Sequence, residues 1–224
     1  MSRQCLIKRY ICLFLGLASI AFGIALSIKA DLGISPVSSV PYVVSLLTPL
    51  TVGNVTILLH CALVALQFLL LRKRFLPIYL LEVPAGIVFG YLTDLAIWAT
   101  SALTPSGYLQ RWGFCLIGIF FIALGVSLEL LANVLMLATE GLVMAISTVT
   151  GKKTGDVKVS IDVSLVLIAC LLSLLFLRRL AGVREGTAAA ALLIGMLSKP
   201  ITRQLKKAEP RLLADHPAGS VSKT

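Results

Sequence analysis

The sequence predicts an all-α polytopic membrane protein: six transmembrane helices in two inverted three-span repeats, each repeat carrying one short re-entrant or broken helix. Three observations predict it. Hydrophobic residues fill 58% of the 224 positions and mean hydropathy is +0.98, well above the make-up of soluble domains, roughly half apolar and a quarter charged. Eight of the ten acids, Asp31, Glu82, Asp94, Glu129, Glu140, Asp156, Asp162 and Glu185, lie within or at the rims of long apolar runs. A carboxylate near the bilayer centre costs on the order of 2.5–3.5 kcal/mol, so such groups face a bundle interior or a watery cavity. Third, residues 16–67 align with 118–169 without a gap, with 12 identities in 52 positions that include Gly16 on Gly118, Gly23 on Gly125 and Gly53 on Gly155. After a three-residue shift, Ile87–Gly90 falls on Leu192–Gly195.

The first apolar run, 10–30, follows Arg3, Lys8 and Arg9 as a signal peptide would, but its internal copy marks it as a retained helix. It breaks at Lys29–Ser39, where Gly33 ends one helix, Ser35 can cap the next, and Pro36 takes a first position whose missing N–H costs nothing. The apolar stretch 36–48 is too short for a span and suits a half-helix. Spans follow at 53–71 and at 76–99, the latter kinked by Pro84. The second half repeats the order with 112–132, a short 137–149, 156–177 and 185–202. Residues 1–202 form one membrane domain, with repeats at 10–100 and 112–202. Pro210, Pro217 and scattered charge mark 203–224 as a cytoplasmic solvated tail.

If the short elements do not cross, each half crosses three times, and an odd count inverts the second half. With a cytoplasmic N-terminus, fifteen of the 20 basic residues then lie inside and five outside; if they do cross, the split is thirteen and seven. Either fits the positive-inside rule, the first better, although Arg178, Arg179 and Arg184 fall outside. The net charge of +10 sits in short clusters between apolar runs, which suits anionic headgroups; nucleic acid is excluded because the aromatics lie inside those runs. Five cysteines without metal-ligand spacing read as reduced thiols. No Gly-x-Ser-x-Gly, His-Glu-x-x-His or P-loop occurs, so no enzyme, cofactor or metal centre is expected. The bilayer and an unidentified small solute are the expected partners, and a homo-oligomer stays open.

The candidate site residues fall in two groups. At the helix breaks, Asp31, Ser35, Ser38 and Ser39 in the first half and Asn133 and Glu140 in the second are candidates for substrate binding: free N–H groups at a buried helix start favour an anionic group, and an acid favours a cation or proton. Each also has a plain capping role open to it. His60 and Asp162 occupy equivalent repeat positions inside long apolar helices, where pseudo-symmetry would bring them towards a common axis to relay a proton, and with Glu129 and Glu82 they are candidates for ion or proton coupling. Glu185 and Thr187 read as caps of the last helix.

Ala30–Pro36, Ala138–Gly141 and Gly186-Thr187 together resemble elements of the YitT/YczE family of bacterial integral membrane proteins. The resemblance implies a bacterial plasma membrane and a transport-like fold, without a substrate. The chain departs from the family pattern at Ser38, where an acid is common, and in the second element, which lacks its proline. The expectation is a secondary carrier or exporter of a small solute, with the helix breaks at Asp31–Ser39 and Asn133–Gly141 forming one midplane site; the competing class is a membrane accessory or scaffold protein in which the acids pair with Lys and Arg.

Overall fold

The computed structural model describes residues 3–72 and 75–212, which are helical with no strand among them. Eight α-helices follow in order: α1 (Arg3–Ala30), α2 (Pro36–Leu47), α3 (Val52–Leu71), α4 (Glu82–Ala99), α5 (Tyr108–Ala132), α6 (Ala138–Thr150), α7 (Thr154–Leu172) and α8 (Glu185–Leu212). A 3-10 turn, Pro77–Leu81, leads into α4, and a π-turn, Ser173–Leu177, closes α7. Five stretches, Leu6–Ala30, Val52–Leu71, Pro77–Ala99, Tyr108–Ala132 and Thr154–Leu177, are long and apolar enough to cross a membrane. The chain is a helical membrane protein.

The stretch 185–202, expected as a sixth span, is helical as part of α8 but is not among these five, since Glu185 and Lys199 interrupt its apolar residues. The helix also runs on to Leu212, so the first part of the expected tail at 203–224 continues α8. Residues 213–224, and Lys73 and Arg74 of the basic run, lie outside the described residues.

The centre of the fold is an antiparallel pair, α1 on α5. Arg9 Nη1 donates to the Ala132 carbonyl (2.9 Å), Cys12 Sγ to that of Leu128 (3.5 Å) and Ser19 Oγ to that of Phe121 (2.8 Å), so numbers rise along one helix as they fall along the other. Glycines bring the backbones together. A Cβ on Gly23 would stand 2.5 Å from the Gly118 carbonyl oxygen, and one on Gly125 would stand 2.5 Å from that of Gly16. Close approach of small residues is how helices gain dispersion contact where the surrounding lipid is as apolar as a side chain. Around this pair, α4 packs on α1 and α8 on α5, while α2 packs on α3 and α7, and α6 likewise on α7 and α3.

Asp31 (φ 51°) and Asn133 (φ 45°) end α1 and α5 in the left-handed region. These two residue types tolerate that conformation because a short polar side chain can bond locally. Neither short helix runs from one end of the bundle to the other. Lys29 Nζ reaches the Ser101 carbonyl (3.3 Å), which sets the ends of α1 and α4 side by side. Asp94, near that end of α4, accepts from Gly53 N (2.8 Å) and Thr51 Oγ1 (2.6 Å). The start of α3 is therefore close to the end of α1, and α2 begins and finishes in between. At the opposite end, Glu140 in the first turn of α6 meets Lys158, one turn into α7 (3.5 Å), so α6 too starts near the point where its successor starts.

Candidate functional site

The two helix breaks lie at opposite ends of the α1–α5 pair. Asn133 follows Ala132 beside Arg9, whereas Asp31 meets Arg111 at the other end. At 1.5 Å rise per residue, α1 between Arg9 and Asp31 spans about 33 Å. The expectation of one midplane site shared by Asp31–Ser39 and Asn133–Gly141 is thereby corrected: because α5 is antiparallel to α1, equivalent breaks are carried apart.

The Asp31 break is pinned by ion pairs at the surface and by backbone bonds to the start of α8. Its carboxylate pairs with Arg111 (3.2 Å) and Arg184 (4.0 Å), and Arg184 Nη1 donates to its carbonyl (3.0 Å). Gly186 N donates to the Leu32 carbonyl (2.7 Å) and Ile34 N to that of Gly182 (3.0 Å), tying the break to the start of α8. Ser35 stands at the N-cap, yet its hydroxyl donates to Ser38 Oγ (3.0 Å) and caps nothing, while Ser39 donates to the Pro36 carbonyl (2.6 Å). These serines are satisfied within their own turn.

The other break gathers acids. Glu129, 5% exposed, accepts at Oε1 from Leu137 N (2.7 Å) and so caps α6 from the preceding helix. Gln67, fully buried on α3, donates from Nε2 to Glu82 Oε2 (2.8 Å) and to the Ala138 carbonyl (3.0 Å). Gly141 makes room for them, since a Cβ there would lie 2.5 Å from Glu82 Oε1. Lys158 Nζ reaches Glu140 (3.5 Å) and Asp162 (3.9 Å). Glu82, Glu129, Glu140 and Asp162 thus surround the first turns of α6, joined by Gln67 and Lys158, which the sequence reading did not single out. Gln67 was findable: it lies seven residues past His60 on the same face of an apolar helix.

Three buried atoms of this cluster have no hydrogen-bond partner: Gln67 Oε1, Glu140 Oε2 and Asp162 Oδ1. All are acceptors. The Gln67 amide is oriented by its network, because its nitrogen already serves two acceptors. An acceptor left unsatisfied in a buried site is unfavourable by roughly 1–3 kcal/mol, so the cluster calls for donors. A pocket of about 340 Å³ between α5, α6 and α8, lined in part by Glu129, Asn133, Glu140, Thr202 and Lys206, leads to it. A smaller pocket of about 270 Å³ between α1 and α4, walled by Leu13, Phe14, Leu17, Pro84 and Val88, is apolar.

His60 and Asp162 are not partners. His60, 1% exposed, lies against Gly86 and stacks with Phe89 of α4 at a ring separation of 5.7 Å, its Nδ1 without a hydrogen bond. Asp162 faces Lys158 instead. The reason is α6, which packs on both α3 and α7, while α3 and α7 do not pack on one another among the described residues. No group of three or more His, Cys, Asp and Glu with metal-holding geometry occurs among the described residues.

Fold and site define a helical membrane protein with an acid cluster at one end, beside a pocket that Glu129 and Glu140 help to line. The chain belongs to DUF6198, a family of unknown function, which it matches over residues 7–203. No curated protein and no solved structure matches it.

Proposed function

We propose that the chain is a secondary carrier or exporter of a small solute in a bacterial plasma membrane, with the acid cluster at the start of α6 handling a cation or proton. In this reading six spans form two inverted three-span halves, with α8 as the sixth crossing, α2 and α6 re-entrant and both termini cytoplasmic, and the chain is kin to the YitT/YczE family. The observation that carries it is the set of buried acceptors without a hydrogen-bond partner, one of which belongs to Glu140 in the wall of a pocket between α5, α6 and α8. Intramembrane carboxylates facing a cavity mark ion and substrate paths. The antiparallel packing of α1 on its repeat-equivalent α5, through reciprocal glycines, supports inversion.

The ion pairs of Lys158 with Glu140 and Asp162 favour the competing reading, a non-transporting scaffold whose acids are neutralised internally. Flux decides between them. Metabolite comparison of cells with and without the protein supplies the solute; uptake of that solute by proteoliposomes should then depend on pH and fall at least tenfold in Asp162→Asn. Unchanged flux in that variant removes Asp162 from the mechanism, and absence of flux for every solute that changes in cells favours the scaffold.

A further inference from the structure

The two halves differ in one packing contact. In the first, α3 crosses α4 where Gly53 and Gly90 bring their backbones together: a Cβ on Gly90 would lie 2.7 Å from the Gly53 carbonyl oxygen and 2.5 Å from Ile57 Cγ1. Both glycines are buried. Their repeat equivalents, Gly155 on α7 and Gly195 on α8, are exposed, with nothing within 4 Å of a built Cβ. Val159, the equivalent of Ile57, is 63% exposed. Among the described residues α7 and α8 do not pack together, although the other principal pairings come in matched sets: α1–α4 with α5–α8, α2–α3 with α6–α7, and α3–α6 with α2–α7.

We propose that α7 and α8 close on each other through Gly155 and Gly195 in a second conformation while α3 and α4 part, so that the molecule alternates by exchanging its packed half for its open one. The inference rests on the inverted-repeat reading above. Two copies of one folding unit have two equivalent ways to pack, and forming one glycine crossing while losing the other keeps the states close in free energy. Asp94 holds the packed crossing by accepting from Thr51 and Gly53 N; its equivalent is Lys199 and that of Thr51 is Lys153, so closure brings two lysines together, with Asp156, next to Gly155, the acid in the first turn of α7. Closure also carries Lys158 and Asp162, which share α7, away from Glu140 of α6 and brings Asp162, the equivalent of His60, towards Ala191, the equivalent of Gly86, which couples the movement to the acid cluster.

The test is a cysteine pair in the intact chain in liposomes. Thr51 and Asp94 touch in the packed half (2.6 Å), and their equivalents are Lys153 and Lys199. Lys153→Cys with Lys199→Cys should form an intramolecular disulfide on mild oxidation, read as two fewer maleimide-polyethylene glycol additions than in the reduced sample. Adding Gly195→Leu should abolish that bond and leave a Thr51→Cys, Asp94→Cys bond intact. If the Thr51–Asp94 pair oxidises and the Lys153–Lys199 pair does not, or bonds only between two chains, alternation is overturned and a second copy or lipid fills the open side. Side-specific labelling of Arg72→Cys and Arg178→Cys reports on inversion separately, so a failure of the repeat reading is distinguishable from a failure of closure.

Discussion

Glu129 sits in an apolar helix and still has a structural task, because its carboxylate accepts from the first free N–H of α6. Glu129→Gln keeps an acceptor there and should unfold in detergent micelles like the parent. Glu129→Ala leaves Leu137 N unpaired and should be less stable by about 1–3 kcal/mol, read as a lowered thermal midpoint. The glycines of the α1–α5 seam are equally exacting. A methyl group on Gly125 meets the Gly16 carbonyl oxygen at 2.5 Å, and backbone cannot step aside, so Gly125→Ala should cost about 1–3 kcal/mol in the same assay. At this scale the sequence was most legible for acids and glycines, whose cost or benefit in lipid is large whatever surrounds them. It was less legible for the breaks: the matched Asp31 and Asn133 read as a polar ligand pair, while their shared left-handed backbone gives each a local reason to be there.

Helix order was legible almost throughout, since span length, Pro36 and the glycines punctuate the chain. The short elements at 36–48 and 137–149 appear as α2 and α6 within a residue or two. What the repeat alignment did not disclose is which equivalent positions meet. It suggested that His60 and Asp162 converge, but an alignment carries no packing order, and α6 stands between α3 and α7. The same helix is why Gln67 and Lys158 join the site: each reaches the first turns of α6 from its own side. If α2 and α6 stay within one leaflet, Arg72 and Arg178 lie on opposite faces of the membrane. Membrane-impermeant maleimide should then label Arg72→Cys and Arg178→Cys from opposite sides of oriented vesicles, and labelling from one side would remove the inverted arrangement.

Across the whole molecule, the two ends of the α1–α5 pair are built differently. Asp31, Arg111 and Arg184 bind three helix ends together, whereas the pocket beside Glu129 and Glu140 opens between α5, α6 and α8. That polarity follows from two similar halves that pack unequally, and it gives the flux and cross-linking experiments a direction: the pocket seen here faces the side of Arg9 and Lys206.

The α1–α5 seam also bears on how the protein is made. Ser19 and Phe121 are 102 residues apart, so at translation speeds of about 5–20 residues per second the notch on the first helix stands empty for roughly 5–20 s after it leaves the ribosome. During that interval a polar serine and two bare glycines are presented to lipid or to the insertion machinery. Until α5 arrives, the face of α1 that carries Gly16, Ser19 and Gly23 lacks the partner it packs on in the finished fold.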